Sequence, residues 1–300
     1  MAEENILEFT GERFTPQCVR EIWYEHYHRY AFAKRLVADK NVLDIACGEG
    51  YGSDILAQYA KTVVGIDIDD ASVTHAKTQY SRNNLTYIAG SCLDIPLDDA
   101  SINVVVSFET LEHLAQQQEM LAEINRVLTS DGLLIISTPD KKYYSDATGF
   151  ANEFHVKELY KDEFKQLLDR HWKEQIWYSQ ALSFNSIMEK FGDKQQTYSS
   201  DILNDSNSFI EDDPLIKPMY YIVIATKAKQ FLPSLPALHL FADTEQSIYG
   251  HYNAVIRAHI LYENKYRKLK SKYNKLKSQH NKWLSIPILG RIIKHFSLKF

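Results

Sequence analysis

No stretch of about 18 consecutive apolar residues occurs in this 300-residue chain, so no segment is expected to cross a bilayer as a helix. Cysteine is scarce: Cys18, Cys47 and Cys92 are odd in number and widely spaced. That excludes a disulfide framework or a cysteine-based zinc site and fits a reduced, cytoplasmic protein. The opening residues, MAEENILEFT, lack the basic and apolar regions of a secretory signal. Internal repeats and low-complexity stretches are also missing. Most telling, Asp and Glu are absent from Asn264 to Phe300, a stretch holding eleven of the 34 Lys and Arg residues. The other 23 face all 39 acidic residues across 1–263, a balance of −16. An acidic body with a basic tail points to an acidic partner surface, membrane or nucleic acid.

What is present has a clear order. Residues 19–38 carry apolar and aromatic side chains at helical spacing, including Trp23, Tyr27 and Tyr30. Then strand-like runs, NVLDIA, TVVGID, LTYIA, INVVVSF and GLLIIST, alternate with the helical patterns SDILAQYA, DASVTHAKTQYSR and QEMLAEINRVL. The last of these is expected to stop at Asp131-Gly132. Nearly continuous apolar strands alternating with helices imply an α/β fold, a parallel sheet covered on both faces. Two later strands, in EQIWYSQALSF and MYYIVIATK, flank a polar stretch from Asn185 to Pro218, which predicts an antiparallel final strand and an ornamented loop. The two prolines of QFLPSLPALHL suggest a linker leaving the domain. From Ile248 to Trp283 apolar and ring-bearing residues recur at alternating spacings of four and three, an a/d seam of about five heptads. The final WLSIPILGRIIKHFSLKF is a short basic amphipathic segment suited to an anionic membrane interface.

The informative stretch is VLDIACGEGYGSDIL, from Val42 to Leu56. An acid, Asp44, interrupts an apolar strand, and Gly48, Gly50 and Gly52 then strip side chains from the following turn. Such a turn lets a ligand approach the backbone closely, but alone it serves a dinucleotide equally well. Asp67 ends the second strand 19 residues beyond Gly48, where an acid can accept from both hydroxyls of a ribose. A dehydrogenase usually places a third glycine where this chain has Ser53.

VLDIACGEGYGS, GIDID, CLDIPLDDASINVVVSFETLEHL and VLTSDGLLIISTP resemble, in order and spacing, the successive motifs of class I S-adenosylmethionine-dependent methyltransferases over about residues 40–140. The resemblance implies a Rossmann-like seven-stranded sheet with helices on both faces and an antiparallel last strand. It also implies S-adenosyl-L-methionine as cofactor. Asp44 through Gly50, Ala46 and Gly48 among them, would line its methionine part. Asp67 would hold the ribose, Ile68 would pack on adenine, and Asp94 would accept from the adenine amino group beside the Cys92–Leu93 backbone. One departure is Ser91, where many relatives carry Asp. The leader GERFTPQ…EIWYEHYHRYAF is similar to that of methyltransferases of bacterial surface-polysaccharide (O-antigen) biosynthesis, where it closes over the cofactor. By that likeness Arg13 would meet the cofactor carboxylate and Tyr27 would add a hydroxyl.

Methyl transfer to a hydroxyl requires positioning of the acceptor and removal of its proton. Glu112 and His113, just past the fourth strand, and His155, after the fifth, are the candidate catalytic residues, with His113 as base and Glu112 orienting it or binding a sugar hydroxyl. With Glu109 they resemble the E-x-x-E-H plus distant His set of small-RNA methyltransferases, which holds a divalent metal. Sequence spacing cannot show that these groups converge, and no metal is expected. The favoured function is O-methylation of a sugar of a surface polysaccharide or lipid-linked glycan. The rivals are a methyltransferase on RNA or a small metabolite, and an assembly scaffold with a vestigial cofactor site. The expected organisation is an N-terminal lid (1–40), the methyltransferase domain (41–230), a linker (231–247), a coiled coil (248–283) and the basic tail (284–300). The coiled coil would make a homo-oligomer, and the tail a peripheral contact with the inner membrane face. No nucleic-acid partner is expected, since no RNA-binding module accompanies the charge.

Overall fold

The computed structural model describes residues 21–187, 199, 201–203, 209–211 and 216–285. The calls on Arg13, Cys18 and residues 286–300 lie outside them. The described chain divides into two compact units between Phe241 and Ala242.

The first unit opens with α1 (Glu21–Ala33) and then alternates β1 (Asn41–Ile45), α2 (Tyr51–Ala57), β2 (Thr62–Asp67), α3 (Asp70–Gln79), β3 (Leu85–Ala89), β4 (Ile102–Ser107), α4 (Gln117–Val127) and β5 (Leu128–Pro139). It continues with α5 (Lys161–Leu168), β6 (Glu174–Gln180), a separate hairpin of β7 (Asp201–Leu203) and β8 (Phe209–Glu211), and β9 (Tyr220–Thr226). Seven strands form one sheet in the order β3-β2-β1-β4-β5-β9-β6, with β9 antiparallel to both neighbours. This is the seven-stranded Rossmann-like sheet of the methyltransferase fold, and its reversed last strand is as the sequence predicts.

Strand alternation divides the core between two faces. Leu43, Ile45, Val105, Leu134, Ile136 and Val223 turn to the cluster holding Met120, Leu121 and Ile124 of α4 and Phe164 and Leu168 of α5. Val42, Val104, Val106, Ile135, Ile222 and Ile224 turn to the cluster holding Tyr30, Phe32 and Ala33 of α1 and Leu56 of α2. Each central strand is thus apolar at consecutive positions because it is covered twice.

Two local expectations are corrected. Helix α4 ends at Val127 and the chain enters β5 at Leu128 directly, so Asp131-Gly132 is no helix stop. It sits where the β4–β5 register slips between the pairs Ile102–Leu128 and Val104–Leu133, and the irregular ladder accommodates it. The segment expected to leave the domain as a linker instead packs back onto it as far as Phe241. The Tyr178 hydroxyl donates to the Pro236 carbonyl, and His239 meets His28 at 2.9 Å. Phe241 lies against the rings of Trp23, Tyr24 and His28. Prolines remove backbone donors, but the aromatic side chains around them supplied enough apolar surface to fold the segment down.

The second unit is dominated by α6 (Ser247–Leu284), a single 38-residue helix whose first N–H is met by the Asp243 carboxylate. Most of the heptad positions are exposed, Tyr262, Tyr266, Leu269, Tyr273, Leu276 and Trp283 among them. No described helix is long and apolar enough to cross a membrane.

Candidate active site

Strand order reverses between β1 and β4, which opens a crevice at the carboxyl ends of the parallel strands. The residues singled out from the sequence fall on its two sides.

On the β1–β2 side, the turn after β1 is held tightly. Cys47 N–H donates to the Ile66 carbonyl, and Gly50 N–H closes back on Cys47. Ala46 has φ 57°, a left-handed conformation unusual for a residue with a side chain. Gly48 has φ 56°, and a β-carbon built there meets nothing within 4 Å, so this face of the turn is open. Gly52 is the opposite case: its β-carbon would lie 2.0 Å from the Tyr30 ring, so only glycine lets α1 and α2 approach. Asp67 reaches across the strand ends. One carboxylate oxygen accepts from Gly48 N–H at 2.8 Å and the other from Asp69 N–H at 3.0 Å. A half-buried, fixed carboxylate beside an open glycine turn fits a cofactor's ribose diol.

Asp44 is 1% exposed and serves the turn from beneath. It accepts from the Ser53 hydroxyl at 2.7 Å and from the Tyr30 hydroxyl at 3.2 Å, tying β1 to α2 and α1. Burial pushes its carboxyl up to about 7, against the opposing pull of those two hydroxyls. These contacts order the loop from beneath. Tyr27 stacks on Trp23 at 4.4 Å and approaches Tyr51, whose ring packs on Tyr30.

Ile68 stands 78% exposed beyond the end of β2. Asp94 is exposed and Cys92 and Leu93 are half-buried in the turn after β3. Ser91 organises that turn itself: its hydroxyl accepts from Leu93 N–H and its carbonyl from Asp94 N–H. Ser91 thus holds the turn that carries Cys92, Leu93 and Asp94.

On the β4–β5 side, Glu109 follows β4 with φ 49°, again a strained backbone at a strand end. Its carboxylate accepts from the Ser137 hydroxyl at 2.5 Å and lies 3.6 Å from Arg29, a charge contact longer than a hydrogen bond. Arg29 is 2% exposed, donates to Gln180 and sits 4.4 Å over the Tyr220 ring. Glu25 beside it is pushed up to about 7 by burial, with Arg29 opposing and Glu109 adding to the rise.

Glu112 and His113 lie in a one-turn 3₁₀ helix, Leu111–His113. Glu112 is 1% exposed, and one of its oxygens accepts from Thr138. Burial holds its carboxyl well above the ordinary range, and the Glu109 charge raises it further. His113 Nδ1 donates to the Phe154 carbonyl at 3.0 Å. The His155 ring lies 5.0 Å from the His113 ring, edge to face, so residues 42 apart in the chain are brought together. Glu158 holds His155 through Nδ1 at 2.6 Å, and Tyr144 stacks on its other face.

Sequence reasoning missed several members of this crevice. Tyr30 was legible as part of an apolar stripe, but not as a partner of Asp44. Arg29 gave no signal, because a single charge beside such a stripe is normally solvated. Glu49, inside the glycine turn, is 3% exposed and accepts from the Tyr80 hydroxyl and contacts His75. Glu158, three residues after His155, could have been found from that spacing.

Residues 43–136 match the family described as "Methyltransferase domain". The chain is 36% identical over 168 residues to a Mycolicibacterium smegmatis protein named "Probable S-adenosylmethionine-dependent methyltransferase", covering 55% of this chain and 65% of that protein. It is 31% identical over 108 residues to the phthiotriol/phenolphthiotriol dimycocerosates methyltransferase of Mycobacterium tuberculosis, covering 35% of this chain and 40% of that protein. The chain thus spans less than two thirds of the length of these relatives. The solved structure of the YcgJ protein from Bacillus subtilis covers 68% of this chain and 100% of its own, at 14% identity and a TM-score of 0.48. Residues 43–136 are thus similar to a methyltransferase domain, and relatives named as S-adenosylmethionine-dependent methyltransferases share that part of the chain.

Proposed function

We propose that the protein is an S-adenosyl-L-methionine-dependent methyltransferase that O-methylates a sugar of a surface polysaccharide or lipid-linked glycan. The observation that carries the cofactor half is the bond between Asp67 and Gly48 N–H across an otherwise open turn. When bound, the cofactor supplies an electrophilic methyl group on a sulfonium. Ala46, Gly48 and Gly50 line its methionine part with backbone. Asp67 accepts from the ribose hydroxyls. Ile68 covers one adenine face, and Asp94 accepts from the adenine amino group. Arg13 and Tyr27 complete the methionine end from the leader.

The acceptor belongs on the β4–β5 side. His113, fixed through Nδ1, presents Nε2 toward Glu112 and takes the hydroxyl proton. Glu112 and His155 bind neighbouring oxygens. The rings of Tyr144, Phe150 and Tyr220, which pack together beside His155, suit the apolar face of a sugar. The basic α6 and the residues after it carry the protein to an anionic surface and assemble copies of it.

The test is turnover with isotopically labelled cofactor and isolated cell-surface glycan as acceptor. His113→Ala is expected to lower kcat by about 10²–10⁴-fold while leaving cofactor affinity unchanged. Near-normal turnover would remove His113 from the chemistry.

A further inference from the structure

On the face of the sheet that α1 covers, the core is not closed at the β6 edge. β6 is the last strand of the sheet, and between it, α1 and residues 232–241 lies a cavity of about 820 Å³. Phe32, Ile176, Tyr178, Ile222 and Leu235 line it, and all five belong to or pack on the core cluster of that face. Protein cores are close-packed, with few voids larger than a water molecule, so a space of this size is no packing fault. It falls within the roughly 300–1,000 Å³ of sites that take small molecules. Leu238 and Leu240 also line it while standing 39% and 61% exposed, so apolar surface continues from the cavity wall to solvent.

The polar groups of the wall carry little net charge at neutral pH. His28 and His239 meet at 2.9 Å. Burial pushes His28 down to about 4, with His239 and Arg29 adding to the drop, and burial lowers His239 as well. Glu25 is held near 7 by burial. Among the described residues lining the cavity, Arg29 is the one permanent cation, and the Glu109 carboxylate balances it from 3.6 Å. Such a wall suits an uncharged occupant. Arg29 donates through Nε to Gln180 at 2.8 Å, but its Nη1 and Nη2 have no hydrogen-bond partner among the described residues. A buried guanidinium with spare donors calls for an oxygen beside it.

We infer that this cavity holds the aliphatic chain of an amphiphilic acceptor, with the first oxygen of its head group at Arg29. The position of the cavity in the fold supports this. Gln180, part of its wall, is the last residue of β6 and pairs with Tyr220, which pairs in turn with Pro139 at the end of β5. The cavity therefore reaches the carboxyl ends of the parallel strands, where the crevice opens. Arg29 sits 4.4 Å over the Tyr220 ring, Tyr220 packs on Tyr144, and Tyr144 stacks on His155. A head group leaving the cavity at Arg29 is thus directed along these rings toward His155 and His113.

The cavity takes no part in bond making. Burying the chain supplies binding energy remote from the chemistry and fixes where the reacting hydroxyl lies. The sugar to be methylated is then presented on a lipid and not as free polysaccharide. The role, though not the site, rests on the methyltransferase reading above.

The experiment titrates the full chain by calorimetry with hexyl, octyl and decyl glucoside, each below its micelle concentration, and with methyl glucoside as the chainless control. Cofactor affinity is measured separately. One equivalent of the alkyl glucosides is expected to bind, about three- to four-fold more tightly for each methylene added, with no binding of methyl glucoside. Ser179 and Ala237 line the cavity from exposed positions, so Ser179→Trp and Ala237→Trp should fill it without disturbing the core. Each should weaken decyl glucoside binding by about tenfold or more, the loss of some two methylenes' burial, and leave cofactor affinity unchanged. Circular dichroism checks that the variants fold, and the wild-type series stands whether or not they do. Affinity independent of chain length overturns the site, as does equal binding by the wild type and both folded variants. With labelled cofactor, decyl glucoside should compete with the glycan acceptor, and binding without competition would overturn the acceptor role. Cofactor binding without alkyl glucoside binding would sink this inference and leave the methyltransferase reading standing. Alkyl glucoside binding without cofactor binding would keep the cavity site and sink that reading.

Discussion

Asp44 shows how much a single residue type in a strand conveys and how much it withholds. An acid inside an apolar strand was visible in the sequence, but its partners come from α1 and α2, and only folding brings Tyr30 and Ser53 to it. Its carboxyl lies near 7 in the folded protein and near 4 when unfolded. Below about pH 4 it is protonated in both states and contributes no pH-dependent term. As pH rises from 4 through 7 the unfolded chain ionises first, so this group favours unfolding progressively. Asp44→Asn should therefore lose less stability than wild type across that window. Denaturant unfolding at pH 4.5 and 7 checks this, and parallel slopes for the two proteins would show that Asp44 is ionised at no unusual cost. Arg29 and Glu158 were less legible still, since their meaning depends wholly on what the fold sets beside them.

At the level of elements, periodicity served well where one rule governed. Apolar strands covered on both faces, the antiparallel β9 and the long α6 all follow from the pattern. It failed at Asp131-Gly132, where strand pairing overrode a turn signal, and at residues 232–241, where ring packing overrode proline. The exposed seam of α6 carries its own prediction. Most helix stability comes from packing the apolar stripe, so a helix of 38 residues exposing Tyr, Leu and Trp should pair with copies of itself. Because Phe241 packs on α1, the body should be cut after Phe241. By light scattering the full chain is expected to be oligomeric and the shortened one a monomer. A monomeric full chain would refute self-association through α6.

For the whole molecule, sheet order decides where chemistry can occur. With β1 and β4 diverging at the switch point, Asp67 and the glycine turn fall on one side and Glu112, His113 and His155 on the other. The sequence motifs point to the first side, because Asp67 and the glycine turn lie within one β–α–β unit and their spacing is fixed by it. The second side joins residues from two separate loops, and no spacing rule predicts that convergence. The account depends most directly on S-adenosyl-L-methionine occupying the first side through Asp67. The measurement is calorimetric titration of the full chain and of Asp67→Ala with the cofactor. The wild type is expected to bind it, and the variant to bind more weakly by about 2–4 kcal/mol, as two ribose hydroxyls lose their acceptor. No binding by the wild type, or equal binding by the variant, would contradict the account.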